Sequence, residues 1–322
     1  MLTNLSVIVP VYNAESTIEK AIRSVPESIK IEIICIDDCS IDGSLEKIKK
    51  ARRSGLPFSV YRNITNQGVS KSRNIGIRHA SSGWIMFLDA DDTLSLPPNF
   101  ETILEEASSI HSDLILFSHY SEGIGIAYDY DIDEGILTRK KIVGLSNDFL
   151  AKPRGNSIIP HCWGKVYSVN FLNSNSIFFR EDLKIYEDTE FVARCFTKAN
   201  TAIYHRQIIY THSLSRGLSH AFEQEPTSFR HCLELFSTLS RDRNTGSSIA
   251  YAVYLSKTLH LASTLPILRR YKVCQLIANE IANQYLDSSK VSNRLLGLII
   301  RYKSYKYPLL CTILLGLNFK NA

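Results

Sequence analysis

The sequence predicts an α/β protein: a mostly parallel sheet flanked by helices, with an α-helical appendage at its C-terminal end. Three observations carry that expectation. Between residues 5 and 118, β-branched apolar runs of strand length alternate with helix-length stretches, the order that builds a parallel sheet through right-handed crossovers. Several of the runs end in polar clusters, as strands of an open α/β sheet do where they meet a ligand. From Pro226 onward the strand signal nearly vanishes, and helical segments follow at about 226–240, 248–264, 267–286, 291–302 and 308–317.

Leu5-Ser-Val-Ile-Val9 suits a buried strand. The helix after it spans Ser16–Val25, with Ser16 as N-cap and Glu19 as its capping-box partner. Ile31-Glu-Ile-Ile-Cys-Ile36 is the second strand, and Ile41–Ser54 a helix whose Lys47, Lys49, Lys50, Arg52 and Arg53 face water. Phe58-Ser-Val-Tyr61 is a third strand, Val69–Ala80 a third helix and Trp84–Leu88 a fourth strand. A helix over Pro98–Ile110 and a strand over Asp113–Ser118 follow. Between Glu122 and Gly155, scattered glycines and aspartates indicate an irregular excursion, or an antiparallel pair leading to a helix near Thr138–Leu150. Helices over Val169–Ser174 and Asp188–Ala199 and a strand over Ala202–Tyr210 complete a domain of residues 1–221, leaving 222–322 as the helical region.

The 322 residues are 44% hydrophobic and 21% charged, which describes a folded chain rather than a disordered one. A net charge of +5 is too small to imply a nucleic-acid partner. Seven scattered cysteines without a CxxC pair fit reduced thiols, and with no basic, apolar leader at the N-terminus the expected location is the cytoplasm. No apolar run reaches the roughly 18 residues of a membrane span. The segment Tyr307–Leu317, beside Arg301, Lys303 and Lys306, suits either a peripheral helix at an anionic membrane surface or a last core helix.

The chemistry concentrates at strand ends. Trp84-Ile-Met-Phe-Leu-Asp89-Ala-Asp-Asp92 is an apolar strand ending in crowded carboxylates, which need water, a helix to cap, or a hard divalent cation such as Mn2+ or Mg2+. The first strand runs into Pro10-Val-Tyr-Asn13, where Tyr12 offers an aromatic face for a base. Asp37-Asp-Cys-Ser40 ends the second strand, where a carboxylate can accept from a nucleobase or ribose, or Ser40 and Asp42 can cap a helix. Asn66–Gly76 sets Lys71 and Arg73 in the first turns of a helix, where cations and free amides favour a diphosphate. Glu187-Asp188 either caps the helix that follows or carries a catalytic base.

Taken in order, Ser6–Asn13, Ile36–Ser44, Asn66–Gly76, Phe87–Asp92 and Tyr186–Phe191 resemble a family 2 glycosyltransferase over residues 4 to about 215. The resemblance implies the GT-A fold and inverting transfer of a sugar from a nucleotide-diphosphate donor, with a UDP-sugar favoured, to a growing glycan or lipid-linked acceptor. It assigns Pro10, Tyr12, Asp37 or Asp38, Lys71, Arg73 and Asp89 to the donor, and Asp91 with Asp89 to a divalent metal. It makes Asp188 the base, with Glu187 beside it. Pro160–Tyr167 also resembles a family segment, in which Trp163 and Lys165 line the sugar pocket; a core tryptophan is the competing reading. The chain departs from the family at Tyr210–Ser219, where Arg216 is expected to reach the diphosphate and His212 or His220 to assist the metal. A rival from another class is a nucleotide-sugar or glycan binding module that has lost catalysis. A dinucleotide oxidoreductase would need a GxGxxG turn where Pro10–Asn13 stands.

Overall fold

The computed structural model describes residues 4–28, 30–53, 55–122, 125–128, 130, 132–151, 158–183 and 187–213. The chain divides into two compact units, residues 1–146 with 156–215 and residues 147–155 with 216–322; the site lies in the first. The domain end expected near Ala221, the appendage over 222–322, and Arg216 and His220 fall outside the described residues.

The order is β1 (Leu5–Val11), α1 (Ile18–Ser24), β2 (Ile31–Asp37), α2 (Ser44–Ala51), β3 (Phe58–Arg62), α3 (Val69–His79) and β4 (Trp84–Phe87). Then come β5 (Thr93–Leu94), α4 (Phe100–Ser109), β6 (Leu114–Ser121), β7 (Ile126–Tyr128), β8 (Gly135–Thr138) and α5 (Arg139–Ala151). β9 (Lys165–Ser168), α6 (Val169–Ser174), α7 (Glu187–Lys198) and β10 (Thr201–His212) close the unit. The strands form one sheet, ordered β3-β2-β1-β4-β9-β6-β10-β5, with β7 added at β6 and β8 at β10.

The first four strands in that order are parallel, so β1, β2 and β4 all deliver their C-terminal ends to one edge. β9 then runs antiparallel between β4 and β6, while β6 and β10 pair parallel to one another. The α/β sheet predicted from sequence is present; the two-residue β5 and the strand β9 were not foreseen, and β9 enters the middle of the sheet. Its four residues follow a loop and carry Lys165, which breaks the apolar pattern of a central strand.

β1 is buried along its whole length, as a central strand covered on both faces must be. Leu5, Val7, Val9 and Val11 join α1 and α2 residues Ile18, Ile22 and Ile48 in the core. The alternate residue Ile8 turns to the other face, where α3 lies. Pro10 has no N–H, and the strand's geometry accommodates it. Leu88 N–H donates to Ile8 O (3.0 Å) and Asp38 N–H to Val11 O (2.8 Å); Pro10 therefore faces the β4 side, beyond the Ile8–Phe87 pair that ends that ladder.

The capping box expected at Ser16 does not form. Ile18 starts the helix, Thr17 makes no side-chain cap, and Ala14 O instead receives the N–H groups of Thr17 and Ile18. Glu19 pairs with Arg23 (3.0 Å) and Lys47 (3.8 Å) rather than turning back to the helix start. Among the described residues no helix is long and apolar enough to cross a membrane.

α3 rests on β1 and β2 through Gly76. A Cβ there would overlap Ile8 Cγ2 and lie 3.1 Å from Ile36 Cδ1. Gly76→Ala is therefore expected to push α3 off the sheet and cost about 1–3 kcal/mol of stability, read as a lower Tm in thermal unfolding.

Candidate active site

The site is built where β1, β2 and β4 end. Asp37 and Asp38 follow one another there but do different work. Asp38 is buried, and its Oδ1 accepts from Asn63 Nδ2 (2.7 Å) and Gln67 N–H (2.9 Å) while its Oδ2 accepts from Gly68 N–H (2.7 Å). Those bonds hold Gly68 at φ +89°, a conformation that suits glycine, and so fix the start of α3. Asp37 is also buried; its Oδ1 accepts from Ser40 N–H (3.2 Å), and its Oδ2 has no hydrogen-bond partner but lies 3.1 Å from Arg62 Nε. Of the two, only Asp37 has an oxygen without a hydrogen bond. Tyr12, 46% exposed, stands at the end of β1. Asn13 Oδ1 accepts from Ile41 N–H (3.0 Å), and Ser40 Oγ from Asn13 N–H (3.0 Å), which ties the two turns together.

α3 carries Arg73, which is buried. Its Nη1 donates to Glu187 Oε1 at the head of α7, and its Nη2 to Asp89 Oδ1 just past β4, each at 2.9 Å. The guanidinium carbon lies 5.2 Å from the centre of the Phe179 ring. Asn74, next in sequence, donates to Phe179 O (2.9 Å) and accepts from Phe179 N–H (2.7 Å), which holds that ring in place. Lys71 turns aside to Glu181 (3.0 Å).

The carboxylates are pushed in different directions. Burial and the neighbouring Asp188 charge raise Glu187 to about 7, with Arg73 pulling part of the way back. For Asp188 burial also works upward, but His161, the Arg73 charge and the Thr189 N–H (2.7 Å) outweigh it and hold the carboxyl below its ordinary value. At neutral pH Asp188 is ionised. Burial and the Asp89 charge raise Asp91. They also raise Asp92, to about 8, although Tyr210 Oη (2.5 Å) and Ser213 N–H (2.7 Å) both donate to it.

A stacked wall joins the two acidic groups. Tyr210 lies parallel to Trp163 (4.6 Å, 4°), and Trp163 parallel to His161 (4.3 Å, 5°) and His212 (5.4 Å, 14°). His161 Nδ1 in turn is 3.6 Å from Asp188 Oδ2.

The model of glycosyl transferase family 2 matches residues 6–170, just over half of the chain. The chain belongs to this family. It is 29% identical over 211 residues to the poly(ribitol-phosphate) beta-N-acetylglucosaminyltransferase TarS of Staphylococcus aureus, covering 62% of this chain and 33% of TarS. It is 26% identical over 221 residues to the cholesterol galactosyltransferase of Borreliella burgdorferi, covering 66% and 61%. The chain thus spans about a third of the length of TarS. Among solved structures, TarS 1–349 in complex with UDP-GlcNAc superimposes with a TM-score of 0.66 at 19% identity, covering 99% of this chain and 92% of that one. The mannosyltransferase PcManGT of Pyrobaculum calidifontis, in complex with GDP-Man and Mn2+, gives 0.51 at 16%, covering 98% and 84%. These likenesses bear on the fold, and the fold agrees with a family 2 glycosyltransferase.

Against that family frame, the structure joins Arg73, Asp89 and Glu187 through direct contacts, and Asp188, next to Glu187 in the chain, meets His161. It sets other expected residues apart. Trp163 is buried and stacked, so it supports the wall instead of offering a sugar a face. Lys165 is buried too, with Nζ donating to His161 O (2.5 Å) and Trp163 O (3.4 Å); its charge holds the 161–163 backbone and does not line a pocket. Asp38 has both oxygens engaged, Lys71 is paired with Glu181, and His212 stacks on Trp163. The sequence reading gave no role to Tyr210, His161 or Asn74. His161 was within the Pro160–Tyr167 segment and Asn74 within Asn66–Gly76, but only the fold pairs them with Asp188 and Phe179.

Removing Arg73 leaves Glu187 and Asp89 without their shared cation, so Arg73→Gln is expected to cost about 3 kcal/mol. The loss depends on pH in a definite sense. Glu187, raised to about 7, favours the folded state fully at acid pH and less as pH rises through that value. Without Arg73 its value climbs further, so the Tm gap between wild type and variant widens from about pH 5 to pH 8.

Proposed function

We propose that the chain is a glycosyltransferase that moves a sugar from a nucleotide-diphosphate sugar, a UDP-sugar, to a hydroxyl of a growing glycan by in-line displacement with inversion. The observation that carries this reading is the Arg73 bridge: one buried guanidinium gathers Asp89 at the strand edge and Glu187 at the head of α7, with Asp188 held ionised next to it. Donor-side and acceptor-side carboxylates thus meet in one site. The solved TarS complex with UDP-GlcNAc supports a UDP-linked donor.

In this reading the base stacks on Tyr12 and is met by Asp37, with Pro10 shaping the turn between them. The diphosphate lies toward Arg73 and, from outside the described residues, Arg216. Asp188, an ionised carboxylate, accepts the proton of the acceptor hydroxyl as its oxygen attacks the anomeric carbon and the bond to the diphosphate breaks. Arg73 offers its charge where the leaving diphosphate becomes more negative.

Asp91 and Asp89 suit a hard divalent cation such as Mn2+ or Mg2+. Among the described residues no three ligating side chains converge, which fits an ion that completes its shell with phosphate oxygens and water. Burial and the Asp89 charge push Asp91 upward, the direction that a bound cation would reverse. Such an ion, when bound, would neutralise charge on the leaving diphosphate. The acceptor is a cell-surface polysaccharide or lipid-linked oligosaccharide at the inner face of the membrane, with residues 1–221 as the catalytic domain. The basic segment 290–322 would serve as its peripheral contact.

Asp188→Asn is expected to lower transfer about a thousandfold, while UDP-sugar affinity by calorimetry changes little; full activity would remove Asp188 as the base. A thermal-shift screen of nucleotide sugars with Mn2+ should stabilise the wild type most with UDP-sugars, and chelator or Asp91→Asn should abolish the shift. Equal shifts with and without metal would refute the metal role.

A further inference from the structure

Asp188 has one carboxylate oxygen tied to its own helix, Oδ1 accepting from Thr189 N–H at 2.7 Å. The other, Oδ2, faces His161 Nδ1 at 3.6 Å. That imidazole is held on one side by other rings. It lies flat on Trp163 (4.3 Å, 5°), with His212 at 6.5 Å and His119 edge-on at 6.4 Å. Its backbone is gripped twice: Lys165 Nζ donates to His161 O (2.5 Å), and Thr189 Oγ1 donates to Pro160 O (2.8 Å). Thr189 thus joins the residue before His161 to the residue after Asp188, so segment 160–161 and the head of α7 are fastened as a pair. His161 is also open to water, its side chain 45% exposed, a setting with no core-packing reason for an imidazole to face a carboxylate.

We propose that His161 is a positioning residue for Asp188, which fixes the orientation of the carboxylate and keeps it ionised for proton abstraction. The inference rests on Asp188 being the base. The charged or titratable groups around His161 are Asp188 from α7, Lys165 from β9, His119 from β6 and His212 from β10. Burial pushes His119 down to about 3 and lowers His212. Both are neutral near pH 7, which leaves Asp188 as the anion that His161 meets. Lys165 spends its donors on backbone carbonyls.

Two measurements on the full chain test this. In the first, UDP release from UDP-GlcNAc with water as acceptor is followed from about pH 5 to 9 for wild type, His161→Ala, His161→Asn and Asp188→Asn. His161→Ala should lower kcat about tenfold with KM nearly unchanged. Its acid limb should move up in pH, because the base has lost a neighbour that favours its ionised form. His161→Asn, which keeps a donor at the Nδ1 position, should recover most of kcat. In the second, the ring 15N shifts of His161, which report its tautomer and its polar neighbours, are compared by NMR in wild type and Asp188→Asn, and should change in the variant. The NMR arm needs no turnover, so it decides the pairing even if UDP-GlcNAc is not the donor. Unchanged His161 ring shifts, or a His161→Ala enzyme with wild-type kcat and pH profile, overturn the proposal. Wild-type turnover in Asp188→Asn instead overturns the assignment of the base, a different failure.

Discussion

The site hangs on one buried cation. A guanidinium removed from water must find anionic partners, because its desolvation is not recovered by packing alone. Arg73 finds two, and they come from parts of the chain 16 and 114 residues away in sequence. Meeting both with one fork requires β4 and α7 to arrive at fixed distances from α3. The demand therefore passes back to α3, whose seating depends on Gly68 held by Asp38 at its start and on Gly76 against Ile8 near its end.

Two adjoining carboxylates beside this cation behave differently. Glu187 and Asp188 adjoin in sequence and both feel burial, yet they separate because their partners differ. Arg73 lowers both, but Glu187 sits beside an ionised Asp188 and is raised, while Asp188 also has His161 and a backbone N–H and is lowered. A pair split in this way has one member ionised at neutral pH, which is what a base requires. At the strand edge Arg73 reaches Asp89, while burial and the Asp89 charge raise Asp91 and Asp92. Tyr210 partly relieves Asp92 and, through Trp163 and His161, extends the wall to Asp188.

Much of this fold was legible in the sequence. The alternation of Leu5–Val9, Ile31–Ile36 and Trp84–Leu88 with helices follows from a period that local chemistry sets, and all three strands stand where the runs lie. The carboxylate clusters were legible too, since an apolar strand ending in Asp89-Ala-Asp-Asp92 is conspicuous at any level of detail. What escaped was the strand β9 and the roles decided by long-range packing. A four-residue antiparallel strand bearing a buried lysine has no periodic signature, and its pairing with β4 and β6 is imposed by the sheet. Trp163 looked equally suited to a sugar or a core because its composition is the same in both; only its position against Tyr210 and His161 decides.

The adjacent pair Asp37-Asp38 shows how far residue type falls short of role. In a strand, successive side chains point to opposite faces, so two identical residues at a strand's end meet different surroundings by geometry alone. Asp38 faces the Asn63–Gly68 turn, and its three hydrogen bonds there make it part of the scaffold of α3. Asp37 keeps a buried oxygen whose one polar neighbour is Arg62, and Arg62 is half exposed, with its other contact a carbonyl, Ser40 O, at 3.0 Å. Because half of the Arg62 side chain is in water, its guanidinium can leave for solvent at less cost than a buried cation could. A ligand group that reaches Asp37 therefore displaces a side chain held by little, whereas one that reached Asp38 would have to unfasten the start of α3 and, with it, the seat of Arg73.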